Sequence, residues 1–351
     1  MNSATDEATQ ILNGPCRCTV IETLDKGQLE SVFLVKQANG EFSIARVIDD
    51  DIIDEQEYSK AQKTIQSSQI PYIVANKSIQ KLRGKIILFE EHANLGSLEK
   101  FIRQRKEPTP ENVVKIIARQ IFEALNLIHS TNLFHRPIHS KDIVLKCEEE
   151  EDIEKIDNLK DKDQQNKVPD IKKKRKYVIC KLIGVGLVDK SDDDNESDNE
   201  SEKSKDNKKQ KSEESTGYIT TEQIVEDDLY LMIKIIHTLM IGSQVEGQVR
   251  KLSTEYDDFL LRMPVPIRNK EKENNQISKE LQIKRFKTVK EVLAHPFFRI
   301  DQQQQQLQQS LKLSTLDKKK KYAKYPSFRY LNFETAERYL GVKGVYMSFY
   351  I

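Results

Sequence analysis

The chain has 351 residues, and its 57 Lys and Arg residues balance 56 Asp and Glu residues to a formal net charge of +1. A balance this close to neutral excludes a global electrostatic field toward nucleic acid or an anionic membrane surface. The four cysteines, at positions 16, 18, 147 and 180, fit a reducing compartment better than a disulfide framework. Because the first residues lack a basic region followed by an apolar run, we expect no secretory signal and a cytoplasmic protein.

The first part of the chain predicts an antiparallel sheet with one helix. Residues 20–24 and 31–36 alternate apolar and polar side chains around a turn. An Asn-Gly dipeptide at 39–40 then predicts a hairpin that leads into a third strand at 41–48. A helix is predicted from about residue 54 to 67.

The middle of the chain predicts a mainly helical region with a second pair of strands. Residues 111–129 place apolar side chains at close to a 3.6-residue period, which indicates an amphipathic helix. Strands are predicted at 143–147 and 177–183. The longest apolar stretch, 229–241, is interrupted by Lys234 and is too short to span a bilayer, so it predicts a buried core helix.

Two charged segments interrupt these elements, at 148–176 and 190–216. Neither has enough apolar side chains to offset the entropy of ordering, so we expect both to be disordered. Ser191 and Ser197, in the second segment, resemble sites for acidophilic kinases, and a solvated spacer is an equally good interpretation.

The C-terminal part consists of a Gln- and Lys-rich linker, 300–321, and an aromatic tail, 322–351. The tail holds nine Phe and Tyr residues, and aromatic side chains at this density are costly to leave in water. We expect the tail to dock either on the rest of the chain or in a protein partner. No nucleic-acid or membrane partner is expected.

The most informative motif lies at residues 135–145, with the sequence HRPIHSKDIVL. It resembles the catalytic loop of eukaryotic protein kinases, H-R-D-L-K-P-x-N-I-L-L. Further segments resemble the same family in the same order along the chain. These are 41–48 for the V-A-I-K strand, 90–98 for the hinge, 181–187 for K-L-x-D-F-G-L, 228–242 for the buried D-x-W-S helix and 285–298 for the closing R-x-T-x-x-E-x-L-x-H-P-x-F segment.

The resemblance covers about residues 17–299 and implies an α+β fold with two lobes. After an N-terminal extension at 1–16, an N-lobe at 17–92 would hold the antiparallel sheet and one helix. A mainly helical C-lobe would follow at 93–299.

The resemblance also implies that the groups of phosphoryl transfer have been replaced. Pro137 stands where the family has the aspartate that accepts the substrate hydroxyl proton, and proline has no titratable group. His139 replaces a lysine that faces the phosphate, and Gly184 replaces the main metal-binding aspartate. Asp142 replaces the metal-binding asparagine and is the remaining candidate metal ligand.

The nucleotide site is altered in the same way. Arg46 replaces the strand lysine, and Gly27 is what remains of the glycine-rich loop. Asp25 and Glu30 stand at the first and third glycine positions, and Glu90 stands at the back of the adenine pocket. Arg46 and Gly27 are the candidate cofactor contacts, but we expect no cofactor, and ATP with magnesium is doubtful.

Five other residues match family positions that hold the fold together. His135 and Arg136 would be structural members of the catalytic loop, and Asp228 would hold that loop from the buried helix. Glu222 and Arg285 would form a buried ion pair.

A glutamate on the first helix pairs with the strand lysine in this family, and either Glu55 or Glu57 would take that position here.

We therefore predict a pseudokinase, more a binding protein than an enzyme, which acts as a scaffold, an allosteric regulator or an assembly subunit. One alternative is an active or weakly active Ser/Thr protein kinase with nonstandard metal ligation. Another is a purely structural subunit of a larger complex.

Overall fold

The computed structural model describes residues 3–27, 30–105, 107–133, 135, 137–152, 173–186, 220–242, 252–264, 284–299 and 331–340. The segments 190–216 and 300–321, with Ser191 and Ser197, lie outside the described residues, and so does Arg136. No helix in the described ranges is long and apolar enough to cross a membrane.

The N-lobe is built on a five-stranded antiparallel sheet with the strand order β1-β2-β3-β5-β4. Its strands are β1 (Thr19–Lys26), β2 (Glu30–Lys36), β3 (Phe42–Asp49), β4 (Asn76–Leu82) and β5 (Lys85–Glu91). Side chains alternate between the two faces of such a sheet, and here both faces carry buried apolar side chains.

Helices cover the two faces separately. α1 (Ser3–Asn13) packs Ile11 and Leu12 against Phe33 and Phe89 on one face. α2 (Glu55–Ser68) packs Tyr58 on the other face, in a cluster that contains Ile48, Ile86 and Leu88. The expected extension at 1–16 is therefore part of the N-lobe, because α1 supplies the cover that one face of the sheet requires.

The C-lobe is mainly helical, as predicted. The described residues of the C-lobe form the helices α3 (Leu98–Gln104), α4 (Glu111–Ser130), α5 (Thr221–Ile241), α6 (Thr254–Leu261) and α7 (Val289–Ala294). α4 and α5 form the centre of the core, and every third or fourth residue of α4 is fully buried. Near them, the rings of Phe259 and Phe297 stack with centroids 4.9 Å apart. The two-lobed α+β fold that the sequence predicts is confirmed.

A second sheet, with the order β6-β7-β8-β9, crosses the C-lobe. Its strands are β6 (Gly96–Ser97), β7 (Ile143–Asp152), β8 (Lys173–Leu182) and β9 (Leu331–Asn332). The expectation of disorder throughout 148–176 is wrong at both ends of that segment, because β7 and β8 extend into it. Residues 153–172 lie outside the described part of the chain.

Complementary charge explains the extended hairpin. Glu149 faces Lys176 in the register of β7 and β8, and the Lys176 Nζ lies 3.3 Å from a Glu149 carboxylate oxygen. Opposite charges at facing positions stabilise an antiparallel pair. An acidic run followed by a basic run is therefore a hairpin signal here, although composition alone suggested disorder.

Part of the aromatic tail packs on the chain's own C-lobe. β9 pairs with β8 at Val178 and Tyr177, and α8 (Phe333–Leu340) follows directly. Leu331, Ala336 and Leu340 are buried in the C-lobe core. The remainder of the tail, 322–330 and 341–351, lies outside the described residues.

Leu340→Ala should lower the free energy of unfolding by about 2–4 kcal/mol, because it empties space in a packed core. Leu261→Ala is the matched control, since Leu261 is 58% exposed and Leu340 is 2% exposed. The control should change stability by less than about 0.5 kcal/mol in urea titrations of both variants. Equal losses would contradict the docking of α8.

Candidate nucleotide cleft

The segment that resembles the catalytic loop lies between α4 and β7. His135 is buried, and its Nε2 lies 2.7 Å from the Ile183 carbonyl oxygen, which fixes the loop to the end of β8. Pro137 is exposed in a bend two residues further on. The position that holds the proton acceptor in the family therefore offers no acceptor side chain.

Asp142 uses its carboxylate within its own loop. Its Oδ2 accepts a hydrogen bond of 2.9 Å from the His139 backbone N–H, and the His139 Nδ1 lies 3.5 Å from the same oxygen. This contact closes a 3-10 helix of one turn, Ser140–Asp142. The candidate metal ligand and the exposed His139 thus stabilise a turn.

At Gly184 and Gly186, the segment after β8 has a backbone conformation that residues other than glycine rarely adopt. Their φ angles are 74° and 82°, in the left-handed region that favours glycine. A Cβ on Gly186 would lie only 2.8 Å from the Ala61 Cβ. The Gln62 Nε2 donates a hydrogen bond of 3.0 Å to the Val185 carbonyl oxygen. The segment therefore packs directly on α2, with no carboxylate at 184.

Within the described ranges, no group of three or more His, Cys, Asp or Glu side chains is arranged to hold a metal ion.

Arg46 is buried on β3 between two carboxylates. Its Nη1 lies 2.6 Å and 2.7 Å from the two carboxylate oxygens of Glu30, and its Nη2 lies 3.5 Å from the Glu90 Oε2. The strand register explains this arrangement, because Val32 and Leu88 are the residues directly opposite Arg46. Glu30 and Glu90 are its diagonal neighbours on the same face.

Burial and charge act against each other in this cluster. Burial lowers the pKa of Arg46, but the Glu90 and Glu30 carboxylates raise it by more, so the guanidinium stays charged. Burial raises the pKa of Glu90, and the nearby Arg46 only partly reverses that change. A buried guanidinium is stable only with such partners, since an uncompensated buried charge costs several kcal/mol.

Neither Glu55 nor Glu57 pairs with Arg46, and the predicted choice between them is wrong. Both are exposed on the first turn of α2, and Tyr58 occupies the inward-facing position. The Tyr58 hydroxyl accepts a 2.9 Å hydrogen bond from the Asn76 side chain. Burial raises the pKa of Tyr58, and Glu90 raises it further, so Tyr58 stays a neutral hydroxyl.

Gly27 closes the turn between β1 and β2. Its backbone N–H donates 2.9 Å to the Glu30 carbonyl, and a Cβ on Gly27 would lie 3.2 Å from that oxygen. The one glycine that survives from the predicted phosphate loop therefore supports a tight turn and places Glu30 beside Arg46.

An ionic contact joins the hinge to the C-lobe. The Glu91 carboxylate lies 2.6 Å from the Lys181 Nζ and 2.8 Å from the Lys146 Nζ, and it also accepts from the Ala75 backbone N–H. Burial raises the pKa of Glu91, but Lys181 and the hydrogen bonds together lower it below its ordinary value.

A backbone contact joins the lobes a second time. The Leu182 N–H donates 2.8 Å to the Tyr72 carbonyl, and the Val74 N–H donates 2.9 Å to the Leu182 carbonyl. The segment between α2 and β4 is therefore attached to the end of β8.

The C-lobe residues that were expected to hold the fold together differ in their burial and contacts. Asp228 is buried, and its Oδ2 lies 2.9 Å from the His129 Nε2, which links α5 to the end of α4. Glu222, however, is exposed on the first turn of α5, so the expected buried ion pair with Arg285 is wrong. A carboxylate on a first helical turn is favoured by the helix dipole without a cation. Arg285 donates 2.9 Å to the Met263 carbonyl.

Comparison with known families agrees with this geometry. Residues 18–176 match the family model of the protein kinase domain. The chain contains a protein kinase-like domain.

A curated relative of the kinase-like domain is the protein kinase C zeta type of Oryctolagus cuniculus. It is 25% identical over 132 residues, which cover 36% of this chain and 22% of that protein. The chain thus matches only about a fifth of the relative's length.

Sequence reasoning missed Glu91, Lys146, Lys181 and His129 in this kinase-like domain. The two lysines did carry a signal, since each is a single cation inside a short apolar strand, in IVLKC and VICKL. A charge in such a place requires a partner. No comparable signal marked His129.

Glu91→Gln should lower the free energy of unfolding by about 3 kcal/mol at neutral pH, because Lys181 is buried and would lose its carboxylate. Because the folded-state pKa of Glu91 is lowered, its contribution is present above the ordinary value of 4.5 and is lost as the pH falls through the folded-state value. The stability difference between wild type and variant should therefore shrink on acidification below 4.5.

Glu99→Gln is the control for this measurement, since Glu99 pairs with the exposed Arg103 four residues away. Its loss should be at most about 0.5 kcal/mol. Urea titrations at several pH values test both variants. A Glu91 variant that matches the control, or a difference independent of pH, would show that the contact does not hold the lobes.

Proposed function

We propose that this chain is a catalytically inactive protein-kinase-like protein that acts by binding other proteins, as a scaffold, an allosteric regulator or an assembly subunit. The observation that carries this proposal is the chemistry of the catalytic loop. Pro137 supplies no base, Gly184 supplies no carboxylate, and Asp142 is hydrogen-bonded to its own turn.

Phosphoryl transfer depends on positioning and on metal ions that neutralise charge on the phosphates. A general base alone is usually worth about a hundred- to ten-thousand-fold in rate, or about 3–5 kcal/mol of barrier. The base and the main metal ligand contribute separately to the rate of phosphoryl transfer, so the absence of both lowers the rate by more than the absence of one. No described group of three or more His, Cys, Asp or Glu side chains is arranged as a substitute metal site.

The alternative function is that of an active Ser/Thr protein kinase in which Asp142 binds magnesium in an unusual way. The resemblance to a relative named as a protein kinase favours it. The Asp142 Oδ2 accepts the hydrogen bond from the His139 N–H, so in this alternative the second carboxylate oxygen of Asp142 would bind the metal. The third candidate is a purely structural subunit of a larger complex. Like the proposed binding protein, it would not catalyse phosphoryl transfer.

Melting with and without MgATP separates the active kinase from the other two candidates. A ligand at a hundred times its dissociation constant stabilises a fold by about 2.7 kcal/mol, so a functional site gives a clear rise in melting temperature. We expect no magnesium-dependent rise and no transfer of radiolabel from ATP to a peptide. A rise with MgATP, together with transfer that Asp142→Ala abolishes, would establish the kinase instead.

Partner binding is proposed for the parts of the tail that flank α8. Residues 331–340 pack on the C-lobe, so the aromatic side chains beyond Leu340, which are Tyr346, Phe349 and Tyr350, are the proposed protein contacts. Aromatic side chains of this kind are frequent anchors in interfaces. A cytoplasmic location is part of the same proposal.

Truncation after Leu340 should remove protein partners without lowering the melting temperature, because it spares the packed helix α8. A full-length variant with Tyr346→Ala, Phe349→Ala and Tyr350→Ala keeps the length and removes only the rings. Cross-linking with mass spectrometry should find the same partners lost from both proteins. An unchanged partner set would place the binding surface elsewhere.

A further inference from the structure

We propose that Glu30 is an internal anion that occupies the anion subsite at Arg46 and closes the cleft to nucleotide phosphates. This inference deepens the proposed function and depends on it. Within the kinase-like domain, Arg46 is the cation on the strand where a phosphate contact is expected. Its charge is already matched by a carboxylate from the same lobe.

The geometry of the contact favours a closing role for Glu30. Both of its carboxylate oxygens lie within 2.7 Å of one guanidinium nitrogen of Arg46, closer than the Glu90 carboxylate at 3.5 Å. The Glu30 side chain is 31% exposed, whereas that of Glu90 is 6% exposed. An anion that approaches Arg46 from solvent therefore meets Glu30 first.

The charges of the cluster act in the same direction. Arg46 carries one positive charge, and Glu30 and Glu90 oppose it. The Arg46–Glu30 pair by itself is neutral, so it leaves no net positive charge to attract a polyphosphate. Removal of the Glu30 carboxylate makes the net charge of the cluster one unit more positive.

The fold should tolerate that removal. Without Glu30, the Glu90 carboxylate 3.5 Å away is the remaining anion for the Arg46 guanidinium, and in its ionised form it compensates the buried charge. The contact between Glu30 and Gly27 is made by the Glu30 backbone carbonyl, so the tight turn does not require the carboxylate.

Glu30→Gly and Glu30→Gln test the proposal in the full chain. ADP in the presence of a chelator is the probe, because it needs no metal site and its binding is followed by calorimetry. We expect wild type to bind ADP only weakly, and Glu30→Gly to bind it at least about tenfold more tightly. Glu30→Gln also removes the negative charge but keeps a side chain of similar size beside Arg46. It should therefore show a smaller gain in ADP affinity than Glu30→Gly.

Two controls isolate the subsite. Glu22→Gln removes an exposed carboxylate from the neighbouring strand β1 and should bind ADP no better than wild type. Arg46→Met in the Glu30→Gly background should abolish the gain, because the gain depends on the freed guanidinium.

Folded Glu30 variants that bind ADP no better than wild type would overturn the inference. So would a failure of both variants to fold, since the carboxylate would then be required by the fold. Saturable ADP binding by wild type, equal to that of Glu30→Gly, would also overturn it. If wild type transfers phosphate from MgATP, the proposed function itself fails, and that result is distinct from an inert wild type with inert variants.

Discussion

A buried guanidinium must have anionic neighbours, and the neighbours of Arg46 determine what the cleft between the lobes is able to hold. Both of them come from the strands that flank Arg46 in the sheet, and neither comes from α2. The inward face of α2 is therefore free to carry Tyr58, which packs on the sheet and binds Asn76. The side chains that compensate Arg46 thus also stabilise the packing of the N-lobe.

The connection between the lobes follows a similar principle. Glu91 is the last residue of β5, and its carboxylate forms ion pairs with two lysines of the C-lobe sheet. A few residues away, the backbone of 72–74 is hydrogen-bonded to Leu182. Nucleotide entry and product release in many enzymes depend on the opening of such a cleft. Here buried charge and paired backbone groups at the hinge oppose opening.

Much of the fold was predictable from the sequence, because it rests on local patterns. The period of α4, the apolar run of α5 and the hairpin into β3 each depend on a few neighbouring side chains. The order of the motifs along the chain then predicted the two lobes. Pro137 and Gly184 were predictable in the same way, since the argument needs only the absence of a side-chain group.

The rest of the site depends on contacts between distant segments. The partner of Arg46 was sought on α2, where exposure of Glu55 and Glu57 excludes both. The true partners became visible only with the register of three strands. The extent of the β7-β8 hairpin depends on which charges face each other, and composition does not contain that information. The position of α1 depends on its contacts with strands that follow it in the chain, and local patterns do not contain those contacts.

The long hairpin also has a consequence for how the chain accommodates extra length. Asp152 and Lys173 face each other at the outer end of β7 and β8, so residues 153–172 leave and rejoin the fold at neighbouring points, about 5 Å apart. A segment attached in this way can lengthen at small entropic cost, about 0.6 kcal/mol for each doubling. Residues added between Asp152 and Lys173 should therefore have little effect on the stability of the lobes.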